Sequence, residues 1–320
     1  MIDEYHSSAQ SREGEYYYNT FLDYWLDSVR GSLKESSYAK YRNIISNHIK
    51  PSLGDFPLAS ISNSTIRSAL VSNIKSRLSE KTVRDILSVV RATLRFAIDE
   101  GLMMNITVAQ ELPRGAAKKI RVLSSIEQAA LEKYLLHNVD LCKLGVLLSL
   151  YTGIRVGELC ALKWGDFNFD ENTLYIDRTI QRVQCFDSES TAKTKLLVST
   201  PKSACSTRLI PLPGFLVEYL PRYQVSDKSA YFLTGIASRT IEVRTMQNKF
   251  GKYTAESEIA AANFHALRHT FASRCVELGF DIKSLSEILG HANVNITLNR
   301  YVHPSMELKR SNMEKLKRLA

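Results

Sequence analysis

Two hydrophobic periods run along this chain, and the change from one to the other divides it. From Tyr16 apolar residues recur at helical spacing: Phe21/Leu22 and Trp25/Leu26 lie i, i+4 apart, and Tyr38, Tyr41, Ile44, Ile45, His48 and Ile49 extend the stripe to Pro51 and Gly54. Val83, Ile86, Leu87, Val90, Leu94, Ala97 and Ile98 line one face of a strong amphipathic helix that Gly101 ends. Residues 16–110 therefore predict an all-helical domain. Residues 1–15 are polar and mixed in charge and predict disorder.

Residues 111–121, which include Pro113, Gly115, Arg114, Lys118, Lys119 and Arg121, read as a basic linker. In the second domain, residues 122–305, Ser124 and Glu127 have capping-box spacing, and Leu144–Tyr151 reads as a buried helix. The period then becomes two in TLYIDRTIQRV, with further strands in LLVST and TRLIPLP, before helices return around RTMQNKFGKYTAE, HALRHTFASRCVELG, SLSEILG and VNITLNRYV. This predicts a mainly helical α+β domain with a small antiparallel sheet. Residues 306–320, with Met306, Leu308, Met313 and Leu316 in a basic background, read as a tail helix that needs a partner surface.

Charge sharpens this picture. The net charge is +9 with a pI near 9.2, which suits a polyanionic partner as readily as it suits an ordinary basic protein. Lys40, Arg42, Lys81, Arg84, Arg91 and Arg95 stand on the polar faces of the helical domain. Alone they are a solvated face; with a DNA partner, Lys40, Arg42, Lys81, Arg84, Arg91, Lys118, Lys119 and Arg121 are candidate phosphate contacts. Cys142, Cys160, Cys185, Cys205 and Cys275 are scattered and form no C-x-x-C pair, so neither a disulfide framework nor a zinc site is expected, and free thiols suit the cytoplasm. There is no signal peptide pattern, and no apolar run approaches the roughly 20 residues of a membrane span.

Four segments carry candidate chemistry. Arg155 and Glu158 lie in TGIRVGEL, Lys202 in TPKSACSTRLIPL, His265, Arg268 and His269 in HALRHTFASR, and His291 and Tyr301 in LGHANVNITLNRYVH. Singly, each residue reads as surface charge or packing. Together they suit phosphoryl transfer. Two arginines can clamp a phosphodiester, a histidine can move a proton, a tyrosine can form a covalent intermediate, and a lysine can protonate a leaving alkoxide. No carboxylate cluster for Mg²⁺ and no GxxxxGK[ST] loop occurs, so neither metal nor nucleotide cofactor is expected.

These segments, in this order, resemble the catalytic domain of the tyrosine recombinase (phage integrase) family. TGIRVGEL resembles its TGxRxxEL box, PKSACSTRLIPL its hairpin segment with Ser203 where Thr is common, and HALRHTFAS and LGHANVNITLNRYVH its HxLRHTxAS and LGHxxxxxTxxYxH boxes. YRNIISNHIKPSLGDFPLASIS resembles, more weakly, the family's core-binding domain. The resemblance implies a site-specific recombinase without cofactor that acts on double-stranded DNA as a tetramer. Tyr301 would hold a 3′-phosphotyrosyl bond, Arg155 and Arg268 would clamp the phosphate, and Lys202 would protonate the 5′ oxygen. His265 would accept the tyrosine's proton or bond the phosphate, His291 would complete the pocket, and Glu158 would support it. His269 and His303 follow the pattern, His269 as a structural residue and His303 with no assigned role.

Integration or excision of a mobile element is the expected task, with accessory excision or DNA-bending proteins as further partners. The alternatives are a Xer-like dimer-resolving or inversion recombinase, a type IB topoisomerase-like enzyme, or a DNA-binding protein without catalysis. Many family members carry an arm-binding domain before the helical one. Only about fifteen residues precede it here, which fits either a short recombinase or a chain that begins after such a domain.

Overall fold

Tyr18–Val29 forms a helix (α1) because Tyr18, Phe21, Leu22, Trp25 and Leu26 fall on one side and are buried together. The computed structural model describes residues 16–104, 120–186, 192–200, 204–301, 310 and 313–314. The segment 1–15, Lys118, Lys119, Lys202, His303 and all of the tail except 310 and 313–314 lie outside the described residues. The chain divides into two units, residues 1–117 with 183–194, and residues 118–182 with 195–320.

In the first unit, α1 is followed by α2 (Glu35–Ile44). The chain then passes through a π-helical turn at Ile45–Ile49 into a last helical turn at Lys50–Leu53. Pro51 lies inside this continuous helical run, without the N–H an interior residue donates to the preceding turn, and the helix ends two residues later at Leu53. The longest helix, α3 (Glu80–Asp99), begins at Ser79, whose hydroxyl accepts the backbone N–H of Thr82. Its buried face is Val83, Ile86, Leu87, Val89, Val90, Thr93, Leu94 and Ala97. Gly101 follows with φ +71°, a conformation that suits glycine. The Tyr18 hydroxyl bonds Thr93 inside the core at 2.5 Å. Residues 183–194 join this unit through Phe186, whose ring lies 4.3 Å under the Arg42 guanidinium.

In the second unit, Ser124 and Glu127 form the expected capping box at the head of α4 (Ser125–Leu135). The next helix, α5 (Leu141–Thr152), is buried nearly all round, as a central core helix must be. It ends at Gly153, with φ +65°. The short α6 (Val156–Ala161) leads into β1 (Phe167–Asn168) and β2 (Thr173–Ile176).

TLYIDRTIQRV is two strands, β2 and β3 (Thr179–Gln184), not one. Between them Arg178 pairs with Asp166 and Asp177, and the two strands enter different sheets. β2 lies between β1 and β5 (Arg208–Pro211), antiparallel to both, whereas β3 pairs with β4 (Thr194–Ser199). The unit continues with α7 (Gly214–Tyr219), α8 (Val243–Glu256), α9 (His265–Glu277), α10 (Ile282–Leu289) and α11 (Val294–Tyr301). One large core surrounds α5, and a smaller one gathers Ala272, Cys275, Leu285, Leu289 and Tyr301 from α9, α10 and α11. No described helix is long and apolar enough to cross a membrane.

Candidate active site

Seven of the residues singled out by the sequence motifs, Arg155, Glu158, His265, Arg268, His269, His291 and Tyr301, lie within the second unit around the C-terminal end of α10. A helix end leaves its last carbonyls without intrahelical partners and carries a partial negative charge. Three arginines take up those carbonyls here. Arg208 Nε donates to Ile288 O at 2.6 Å, an Arg268 terminal nitrogen to Leu289 O at 2.7 Å, and one of Arg155 to Gly290 O at 3.2 Å. Arg268 also donates to Gly153 O at 2.8 Å. Two glycine turns therefore hold the two phosphate-clamp candidates from behind.

Both turns need glycine, because Gly153 and Gly290 have φ +65° and +63°. A Cβ on Gly153 would lie 2.6 Å from Phe271 Cδ1 and 2.8 Å from Leu289 Cδ2. Gly153→Ala is expected to cost about 2–4 kcal/mol through left-handed strain and overpacking, and to slow strand cleavage by shifting Arg268. Urea unfolding followed at Trp164, in a Trp25→Phe background, measures the stability. A midpoint equal to that of the parent would mean the turn does not constrain the site.

Glu158 is 3% exposed and sits at the centre. It accepts the Arg155 backbone N–H at 2.9 Å, an Arg155 side-chain nitrogen at 2.7 Å, and both Arg208 terminal nitrogens at 3.2 and 2.9 Å. Burial pushes its carboxyl pKa up, but the charges of Arg208 and then Arg155 outweigh that and hold it below the usual carboxylate range. One carboxylate thus pairs with Arg208 and holds Arg155. Arg208 carries no role in the family motif in which it stands. Its only sequence signal was its place in TRLIPL, since its partner is 50 residues away.

Arg268 is 2% exposed. Burial, and then the Arg155 charge, push its pKa down. A guanidinium stays protonated at neutral pH even so, so the pair forms a strained concentration of positive charge that an anion would relieve.

The histidines are neutral at pH 7. The pKa of His291 is pushed down to about 3 by burial and then by Arg268 and Arg155, and its Nδ1 lies 2.8 Å from the Thr297 hydroxyl. His265, on the first turn of α9 beside Arg268, is pushed to about 4 by desolvation among its neighbours and then by Arg268, although part of its ring is open to solvent. It packs edge-on against His269 with centroids 4.4 Å apart.

Tyr301 is 8% exposed at the end of α11. Burial raises its pKa against the opposing charges of Arg268 and Arg300, so its hydroxyl is a neutral phenol. Two groups stand against that hydroxyl: His269, with Nδ1 at 2.7 Å, and the Arg300 side chain. The family motif implies a structural role for His269 and, for His265, either acceptance of the tyrosine's proton or a hydrogen bond to the phosphate.

The candidate phosphate contacts are placed as follows. Lys40 and Lys81 both reach Asp85, at 2.9 and 3.4 Å, and Arg84 reaches Glu80 at 3.3 Å, all near the surface. Arg42 covers Phe186, and Arg91 is exposed on α3. Arg121 bonds Glu127 and the carbonyls of Val122 and Ala260, which ties the start of the second unit to its body. It holds the Glu127 carboxyl down to about 2.

The chain is similar to proteins already known. Residues 126–307 match the model of the phage integrase family, and residues 17–72 match that of the phage integrase N-terminal SAM-like domain. A "tyrosine recombinase XerC-like" protein of Caldanaerobacter subterraneus subsp. tengcongensis is 28% identical, over 91% of this chain and 80% of its own. Among solved structures, the integrase of transposon Tn1549 in complex with transposon right end DNA has a similar fold: TM-score 0.76, 20% identity, 94% of this chain and 99% of the other. A lambda integrase tetramer bound to a Holliday junction matches with TM-score 0.64 and 19% identity, over 92% and 80% of the two chains. The match to 126–307 spans more than half of the chain, and the protein belongs to the phage integrase family of tyrosine recombinases.

Proposed function

We propose that this protein is a site-specific recombinase that integrates or excises a mobile element through a 3′-phosphotyrosyl intermediate on Tyr301. The observation that carries this reading is that Arg155 and Arg268 both act electrostatically on Tyr301, with both guanidiniums fixed by backbone carbonyls. Two fixed cations at a phosphodiester favour the transition state, in which negative charge builds on the non-bridging oxygens. The Tyr301 oxygen attacks phosphorus, the bond to the 5′ oxygen breaks, and Lys202 supplies that oxygen's proton. His291 completes the pocket as a neutral hydrogen-bonding group. The phosphodiester energy is kept in the tyrosyl ester, so a 5′-hydroxyl from a partner strand reverses the step.

The substrate is double-stranded DNA. Lys40, Lys81 and Arg84 suit its backbone, because exposed ion pairs like theirs are worth about 1 kcal/mol or less and exchange easily for phosphate. Arg42, Arg91, Lys118, Lys119 and Arg121 are proposed as further contacts. A tetramer on DNA in the cytoplasm, aided by DNA-bending partners, is the expected assembly; the lambda integrase tetramer on a Holliday junction supports it by likeness of fold.

The relative named XerC-like, matched over 91% of this chain, favours dimer resolution as the second reading. The test is covalent trapping on nicked DNA, comparing the ends of the element around the gene with a chromosomal dimer-resolution site. An adduct on the element ends, mapped to the peptide containing Tyr301, is the expected result. An adduct on the chromosomal site alone would select the second reading. Relaxation of any supercoiled DNA without a preferred site would overturn both.

A further inference from the structure

We propose that His269 is a catalytic residue that takes the phenolic proton of Tyr301 during strand cleavage, an inference that rests on the recombinase reading above. The observation is direct contact. Tyr301 Oη lies 2.7 Å from His269 Nδ1, and the two rings are 5.6 Å apart at 51°. His265 stands one turn earlier on α9 and packs its ring edge-on against His269. In that place it braces the His269 ring against α11, while His269 itself holds the reacting oxygen.

The chemistry requires such a group. Tyr301 is a buried neutral phenol, and a phenol is a poor nucleophile until its proton leaves. A neutral imidazole has one unprotonated nitrogen, and here Nδ1 is the nitrogen next to the hydroxyl. The groups acting on His269 are His265 and Arg268 from α9 and Arg300 and Tyr301 from α11. Burial first, and then His265, Arg300 and Arg268, keep it neutral. When a phosphate docks between Arg155 and Arg268, its negative charge offsets the arginine part of that effect and makes His269 more basic. The base is thus strengthened by the substrate.

The step balances. The Tyr301 oxygen forms its bond to phosphorus as the O–H proton passes to His269 Nδ1, and the bond from phosphorus to the 5′ oxygen breaks as Lys202 protonates that oxygen. In the rejoining step a 5′-hydroxyl forms its bond to phosphorus and gives its proton back to Lys202, the bond from phosphorus to the Tyr301 oxygen breaks, and the His269 imidazolium returns its proton to that oxygen. No external acid, base or oxidant is consumed over the cycle.

Single-turnover cleavage of nicked DNA by the full chain tests this. His269→Ala is expected to be about 10²–10⁴-fold slower than wild type at neutral pH. The deficit should shrink as pH rises toward the phenol's own ionisation, where solvent takes the proton. Added imidazoles should restore cleavage in the alanine variant, the more basic ones faster. His269→Gln, which keeps a hydrogen bond to Tyr301 but cannot accept its proton, should be equally slow and pH-dependent, and it covers the case in which the alanine variant does not fold.

Cleavage by either variant at the wild-type rate would overturn the assignment. So would a deficit that is constant with pH and unmoved by imidazole, the mark of a purely structural contact. A wild-type protein that forms no adduct would overturn the recombinase reading and this inference together, whereas a wild-type adduct with unaffected variants overturns the inference alone.

Discussion

Tyr301→Phe is expected to yield no covalent protein–DNA adduct under any condition in which wild type forms one, while its affinity for the same DNA is unchanged. The loss is total because the deleted oxygen is the atom that would bond to phosphorus. The ring should stay where it is, since Ala272, Cys275, Leu285 and Leu289 hold it through apolar contact. The structural cost is the hydrogen bonds to His269 and Arg300, each worth about 1 kcal/mol. A denaturing gel of protein mixed with nicked DNA reads the adduct, and titration under native conditions reads binding. Any residual adduct in the phenylalanine variant would remove Tyr301 from the nucleophile's role and return attention to other hydroxyls near Arg155 and Arg268.

Arg208→Met is expected to lower the stability of the second unit by about 3–5 kcal/mol, and to reduce cleavage although Arg208 does not touch DNA in the proposed mechanism. The side-chain ends of Arg208 and Glu158 are 5% and 3% exposed, so loss of the cation leaves a buried carboxylate held by Arg155 alone. Glu158 would then pull on Arg155, and Ile288 O would lose its donor. Adding Glu158→Gln should recover much of the stability, because the uncompensated charge is gone, but not the cleavage rate, because nothing then aims Arg155. Urea unfolding followed at Trp164 in the Trp25→Phe background gives the first quantity, and single-turnover cleavage the second. Equal stability of Arg208→Met and its parent would mean that Arg155 alone compensates the buried Glu158 carboxylate.

The sequence shows these effects unevenly. Arg155, Arg268, His291 and Tyr301 are visible because short motifs carry them: a glycine turn before Arg155, His265 and Arg268 one turn apart on a helix, and a glycine stop before His291. Each of those signals is local, and each survives in the structure as drawn from the sequence. Arg208 and His269 stand in the same motifs, yet their roles depend on groups 50 and 32 residues away. Nothing in the local pattern separates a histidine that packs beside another from one that touches the Tyr301 hydroxyl, since the two lie one turn apart on α9.

The sequence by itself determined the helical first domain, the switch of period that marks the second, the capping box of α4, and the family motifs with their order. Helical spacing, caps and left-handed glycines act over a few residues, and their physics is written in neighbouring side chains. Only the tertiary structure decided where the guanidiniums are anchored, because their acceptors are backbone carbonyls of Ile288, Leu289, Gly290 and Gly153, and every residue carries a carbonyl. It also decided that TLYIDRTIQRV breaks at Asp177 and Arg178, since the pull comes from Asp166 on a separate turn. The choice of His269 over His265 at the Tyr301 hydroxyl was set by how α11 lies against α9, a matter of packing between helices that no single stretch of sequence encodes.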